Sequence, residues 1–296
     1  MTSVPEEPQF FLFLPQMRMD LAAIEERAIV AERSGFHGIA FMDHLAPPSA
    51  DSQPMYEAMT LATLIAARTE RLVVSHLVLC DALRHPALLA RQAVTLDHAS
   101  GGRFELGIGA GSVPEELVTY GVTNDGAGAR VTRLGESLEV LEGLWSGEPF
   151  AFSGEHFQID CPGQAPVPLG TIPIVIGGGR PRMLSLVRRH ADWWNLQLNL
   201  LDHLDRLRPD VGDARLSIQQ MVAFVPDEHR RAEVEANAAR RFGAMGGGLV
   251  AGDAAQLVDH FGALRERGVE RFYVWFADFA PIETLESFGD GVIALA

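Results

Sequence analysis

Short apolar runs, most of them followed by a helical pattern, recur along this chain, and that alternation constrains its fold more than any other feature. Phe10 to Leu14 is a first strand, stopped by Pro15; Gly38 to Met42 is a second, running into Asp43-His44. Leu72 to Leu79 and Phe104 to Ile108 follow, the latter leading into Gly109-Ala110-Gly111-Ser112. Ile172 to Ile176 is the fifth, then Gly177-Gly178-Gly179-Arg180 and a helix opened by Pro181, whose missing N–H suits a first turn. Trp193 to Gln197, Arg215 to Val225 and Arg271 to Ala277 complete eight strands. Helical spacing covers residues 20–34, 55–69, 86–98, 131–145, 227–242 and 254–267. The alternation breaks once, where Phe150 to Phe152 and His156 to Ile159 flank Ser153-Gly154-Glu155 and read as a hairpin. The expectation is α/β: one domain over residues 1–296, a (β/α)8 TIM barrel with a β-hairpin insertion between strands four and five. A doubly wound open sheet would put a glycine-rich fingerprint after the first strand, and Pro15-Gln16-Met17 is not one.

Composition removes several kinds of chemistry. All 24 basic residues are arginine, so a lysine Schiff base is excluded. A net charge of −15 argues against a nucleic-acid surface. Two cysteines, Cys80 and Cys161, are too few for a disulfide framework or a zinc ribbon. No run of about 18 apolar residues and no signal-peptide pattern is present, so we expect a soluble cytoplasmic protein with no membrane partner. No Gly-x-Ser-x-Gly elbow or His-Glu-x-x-His helix occurs, which leaves serine hydrolases and zincins without a site.

In a barrel of this kind the chemistry sits at the C-terminal strand ends. Asp43-His44 is the sharpest pair there, a carboxylate beside the natural proton carrier near neutral pH. Strand one offers Gln16, and strand three offers Ser75 and His76. Strand four offers Gly109, Gly111 and Ser112, small residues against which a flat ring could lie, with Glu115 and Glu116 beyond. Strand five offers the glycine triplet and Arg180, an anion site built from close backbone, free N–H groups and a helix dipole. Trp194, Asn195 and Trp275 close the set. Asp43, His44, His76 and Glu116 are also metal-ligand types, so a metal-dependent barrel hydrolase or isomerase stands as a competing class.

Several stretches together resemble the bacterial luciferase-like monooxygenase superfamily, and within it the coenzyme F420-dependent (deazaflavin) oxidoreductases. They are Ala31 to His44, Arg84 to Gly111, Leu138 to Trp145, and Pro173 to Gly179 with Ala191 to Asn195. The resemblance implies a barrel that binds coenzyme F420, or else FMN, in its mouth, and usually a homodimer. It implies a strand-three bulge, often a non-proline cis peptide, backing the ring, for which Ser75-His76 is the best match. Gly177, Gly178 and Gly179 would hold the coenzyme phosphate, Asp43 would contact the deazaflavin, and His44 would be the proton carrier. Phe13, Ser112, Glu115, Trp194 and Trp275 would line the pocket of a small organic substrate. The sequence departs from the deazaflavin dehydrogenases at two places: Pro48 stands where they often carry tryptophan, and Ser112 where they carry glutamate. The expected activity is hydride transfer between the coenzyme and the substrate, with an FMN-dependent monooxygenase or a flavin-binding barrel without turnover as alternatives.

Overall fold

The computed structural model describes residues 7–48, 53–243 and 248–296. The Pro47 to Pro54 loop therefore lies partly outside the described residues, as does the chain start where a signal peptide was sought.

Strand β1 (Gln9–Phe13) lies between β2 (Gly38–Phe41) and β12 (Arg271–Phe276), parallel to both. The sheet runs β3-β2-β1-β12-β10-β9-β8-β5-β4, where β3 is Val73–His76, β4 Leu79–Cys80, β5 Leu106–Gly109, β8 Ile174–Gly177, β9 Trp193–Leu196 and β10 Arg215–Phe224. Its two ends belong to one stretch of chain, since β4 follows β3 after two residues. Val74 bridges Phe104 as β4 pairs with β5. The result is a mostly parallel sheet nearly closed into a barrel, with helices outside. β6 (Phe150–Ser153) and β7 (Gln158–Cys161) form a separate antiparallel pair.

Local sequence explains most of the helix ends. Asp20 caps α1 (Leu21–Arg33) by accepting from the Ala23 N–H at 2.8 Å. Pro86 opens α3 (Pro86–Ser100), and Gly101 ends it at φ 67°. Asp253 and Gln256 form a capping box on α9 (Ala254–Glu266). α2 (Ala58–Arg68) begins three residues later than Met55, because Glu57 is its cap.

Strand alternation sorts side chains into two cores. On β1, Phe10 and Leu12 face the helices, while Phe11 and Phe13 face the barrel interior with Ala40, Met42 and Tyr273. At the interior's lower end Arg271, 2% exposed, pairs with Glu105 at 2.5 and 3.0 Å and stacks between Phe11 and Trp193.

Four expectations of the sequence reading change. The third strand is broken by a cis Leu77–Val78 bond into β3 and β4. Leu249–Gly252, outside the eight expected strands, is a strand, β11, paired with the outer half of β10. Pro114–Thr119 forms an unforeseen short helix, α4, and Ile282–Gly291 forms α10 after the last strand. The remaining helices are α5 (Ala127–Trp145), α6 (Pro181–His190), α7 (Leu204–Leu207) and α8 (Arg231–Phe242). No helix among the described residues is long and apolar enough to cross a membrane.

Candidate active site

The C-terminal ends of β2, β4, β5, β8 and β9 surround a cavity of about 490 Å³. That size suits a cofactor or a drug-sized ligand. Asp43, His44, Gly109, Gly111, Ser112, Gly177, Gly178, Gly179 and Arg180 all line it, so the structure brings these sequence-predicted residues together.

One wall is an acid–base pair. His44 leaves β2 with its Nδ1 3.0 Å from Glu116 Oε2, the two side chains 17% and 10% exposed. Glu116 Oε1 also accepts the N–H groups of Leu45 and Ala46, at 2.7 and 3.0 Å. A carboxylate on Nδ1 fixes the imidazole's tautomer and turns Nε2 outward for another partner. Glu116 belongs to α4, and neighbouring Glu115 is exposed and outside the cavity.

The second wall is a charge-balanced floor. Asp43, 5% exposed, accepts from the Cys80 N–H at 2.8 Å and takes Arg84 in a two-pronged pair at 2.5 and 2.9 Å. Arg84 also reaches Glu57 at 2.6 Å. Burial disfavours the charged Arg84, but Asp43 and Glu57 more than offset it and raise its pKa. Burial likewise works to raise the Glu57 carboxyl, yet hydrogen bonds from Thr60, Arg84 and Met59 hold it at about 2. Arg84 is thus spent within the protein.

The third wall is backbone. The cis Leu77–Val78 segment faces Gly109, where a Cβ would come within 2.8 Å of Val78. Gly178 has φ +129°, a turn a side chain rarely adopts, and its carbonyl accepts the Trp194 indole N–H at 2.8 Å. α6 starts immediately after Arg180 with no side-chain cap and no acid in its first turn. Its N-terminal N–H groups and dipole therefore remain available to an anion.

Several predicted residues stand elsewhere. Ser75 and His76 are fully buried below the cavity, and the strand-three bulge falls two residues later than expected, at Leu77–Val78. His76 points outward to α2, with Nε2 3.3 Å from the Ala58 carbonyl, and burial drops its pKa to about 4. Trp194 faces the helices, not the cavity. Phe13 and Trp275 pack edge to face at 5.2 Å inside the barrel, outside the cavity lining. Gln16 is buried and clamps the Met42 backbone in both directions. Asp43, His44, His76 and Glu116 form no metal cluster, and no three His, Cys, Asp or Glu among the described residues do. Sequence reasoning missed the pairing of Glu116 with His44, and missed Arg130. Arg130 lines the cavity at 8% exposure and is held by the Ala110 and Asp125 carbonyls. A helical arginine nineteen residues beyond Gly111 carries no signal of that place.

With this geometry in hand, comparison with known proteins is informative. An F420-dependent glucose-6-phosphate dehydrogenase of Nakamurella multipartita is 32% identical over 170 residues, 57% of this chain and 50% of that protein. The chain thus spans about half the length of such curated relatives. An F420-dependent secondary alcohol dehydrogenase, solved with an F420-acetone adduct, superposes at TM-score 0.81 with 18% identity, covering 98% of this chain and 99% of that one. EDTA monooxygenase from Chelativorans sp. superposes at 0.82 with 17% identity, covering 98% and 93%. At such identity the two structures establish a shared fold. The luciferase-like monooxygenase family model matches residues 9–215, most of the barrel, and the chain belongs to that family.

Proposed function

We propose that this protein is an oxidoreductase that moves a hydride between a coenzyme in the barrel mouth, F420 in first place and FMN in second, and a small organic substrate. The observation that carries the reading is the His44–Glu116 pair, set in the wall of a cavity that also holds an uncapped helix start and a glycine-lined shelf. These residues fit a flat ring with a phosphorylated tail. The bare backbone at Gly109 accepts a ring face, and the N-terminus of α6 accepts a phosphate. The F420-dependent relatives favour the deazaflavin, and the EDTA monooxygenase likeness keeps an FMN-dependent monooxygenase as the second reading.

The bound ring supplies the hydride chemistry. The chain supplies position and proton handling. Gly177, Gly178 and Gly179, with Arg180, would hold the phosphate, and Leu77 and Val78, in place of Ser75 and His76, would back the ring. Asp43 is fixed by Arg84 and Cys80 and would offer its remaining acceptor capacity to the coenzyme. Glu116 orients His44, whose Nε2 exchanges the proton at the substrate. Glu116 so takes the place that Ser112 and Glu115 leave unfilled, while Ser112 stays on the substrate side. The reading extends to a single (β/α)8 domain with β6–β7 inserted between the fourth and fifth barrel strands. It further includes a cytoplasmic homodimer without a nucleic-acid partner, consistent with the charge of −15.

Fluorescence titration with F420 and with FMN tests the proposal, which fails when neither binds. His44→Ala should keep the affinity and lose turnover; retained turnover would remove His44 from the chemistry. A stoichiometric divalent metal in the purified protein would favour a metal-dependent hydrolase instead.

A further inference from the structure

Across the barrel mouth from α6, at the C-terminal end of β12, two buried donors have no hydrogen-bond partner among the described residues. Arg241, on the last turn of α8, uses Nη1 to bind the carbonyls of Phe276 and Ala277 at 3.0 and 2.8 Å. Its Nη2 is buried with no hydrogen-bond partner among the described residues, and so is Nε1 of Trp275. Both belong to one aromatic nest. The guanidinium centre lies 3.3 Å over the Phe279 ring, 5.2 Å from Phe242 and 5.9 Å from Trp275, and Phe242 packs on Trp275 at 4.9 Å.

Among the described residues no carboxylate comes within ion-pair distance of Arg241. The acid whose charge acts on it, Asp278, spends its oxygens on the Ala280 N–H at 3.0 Å and the Thr284 hydroxyl at 2.7 Å. A second arginine adds to the positive field, Arg18, 6.0 Å from the same Phe279 ring. Burial draws the Arg241 pKa down to about 10, as expected for a desolvated cation without a full counter-charge. Arg18, Phe279 and Ala280 all adopt left-handed backbone, at φ 61°, 66° and 52°. Such conformations are uncommon in non-glycine residues and persist only where the surrounding structure fixes them.

The nest also touches the candidate active site. Trp275 packs on Phe13, in one cluster with Met42 and Leu77, and those last two line the cavity. It stands three strand positions round the sheet from β8, too far to share the anion of the α6 start.

We infer that Arg241 and Trp275 form an anion subsite at the barrel rim that takes a carboxylate or phosphoryl group of the substrate. The inference rests on the oxidoreductase reading only for the word substrate; the anion site itself does not depend on it. An oxyanion there gains a charge-assisted hydrogen bond from Nη2 and a further donor in Nε1, inside an aromatic wall that strengthens the attraction by excluding water. Both donors are sealed by their neighbours, so binding displaces part of that cover.

The test is calorimetry on the full chain without coenzyme, titrated with inorganic phosphate or acetate at constant ionic strength, chloride serving as control. Saturable binding of either anion is expected, and the one that binds names the group. Arg241→Gln and Trp275→Phe should each weaken it by about tenfold or more, the loss typical of a charge-assisted hydrogen bond. Both variants should keep the wild-type affinity for F420 or FMN. Trp275→Phe retains the ring packing, so it decides the matter where Arg241→Gln fails to fold. Absence of saturable binding overturns the inference. So does a binding isotherm that neither substitution changes, which would place all of the anion binding at the start of α6. Anion binding without coenzyme binding would keep the subsite and reject the oxidoreductase reading.

Discussion

Replacing His76 by glutamine should remove much of this protein's sensitivity to mild acid. The imidazole is fully buried between α2 and the edge of Phe104, whose ring lies 6.1 Å away, and burial takes its pKa from 6.5 to about 4. Between those values the unfolded chain binds a proton that the folded chain refuses. Stability is therefore complete above about pH 6.5 and declines as the pH falls toward 4. At about 1.4 kcal/mol per pH unit the whole loss is roughly 3 kcal/mol, of which ~2.4 kcal/mol falls between pH 7 and pH 4.5. Glutamine is neutral throughout and keeps a donor for the Ala58 carbonyl. His76→Gln will shift stability by a constant at both pH values, while every other titrating group stays common to the two proteins. Urea unfolding at pH 7 and pH 4.5, extrapolated linearly, gives the difference of differences. Wild type should lose about 2 kcal/mol more than the variant on acidification. Parallel losses within ~0.5 kcal/mol would refute the argument and mean that His76 reaches solvent or finds an acceptor for its second proton.

Three further outcomes follow from the same geometry. Glu116→Gln keeps an acceptor for Leu45 and Ala46 but removes the carboxylate from His44, so single-turnover hydride transfer should slow by roughly ten- to a hundredfold with coenzyme affinity unchanged; an unaltered rate would end the orienting role. Gly109→Ala puts a methyl 2.8 Å from Val78 and should weaken coenzyme binding about tenfold or more in a fluorescence titration. Glu105→Gln leaves Arg271 buried without its counter-charge and should cost about 3–5 kcal/mol in urea unfolding; a loss below ~1 kcal/mol would show that the Phe11 and Trp193 rings suffice to hold the cation.

The fold was legible because barrel strands are buried on both faces and appear as unbroken apolar runs, Phe10 to Leu14 being the plainest. What escaped was short or interrupted. Leu249 to Gly252 follows glycines and lacks the length that marks a strand, and a backbone break at Leu77–Val78 leaves no mark within Leu72 to Leu79. Side-chain direction was harder. On β9 the two-residue period sends Trp193 and Asn195 inward and Trp194 outward, so the tryptophan chosen for the pocket braces the Gly178 turn from behind. The same parity takes His76 away from the mouth and brings Trp275 into the barrel.

The site itself was half legible, and the reason lies in what balances its charges. Asp43 and His44 are adjacent in sequence and share the cavity, yet their partners come from different elements. Arg84, forty-one residues on, closes over Asp43, and Glu116, seventy-two residues on, takes His44. A sequence displays the two functional groups; only the fold shows that each has a counterpart of its own. That division separates their roles. The carboxylate is clamped by an arginine and a backbone N–H, whereas the imidazole is held by one carboxylate through Nδ1, the arrangement that the proposed proton exchange at Nε2 requires. With Arg84 turned to the cavity as a phosphate ligand, Asp43 would sit 5% exposed without its counter-charge, at a cost that the observed pairing avoids.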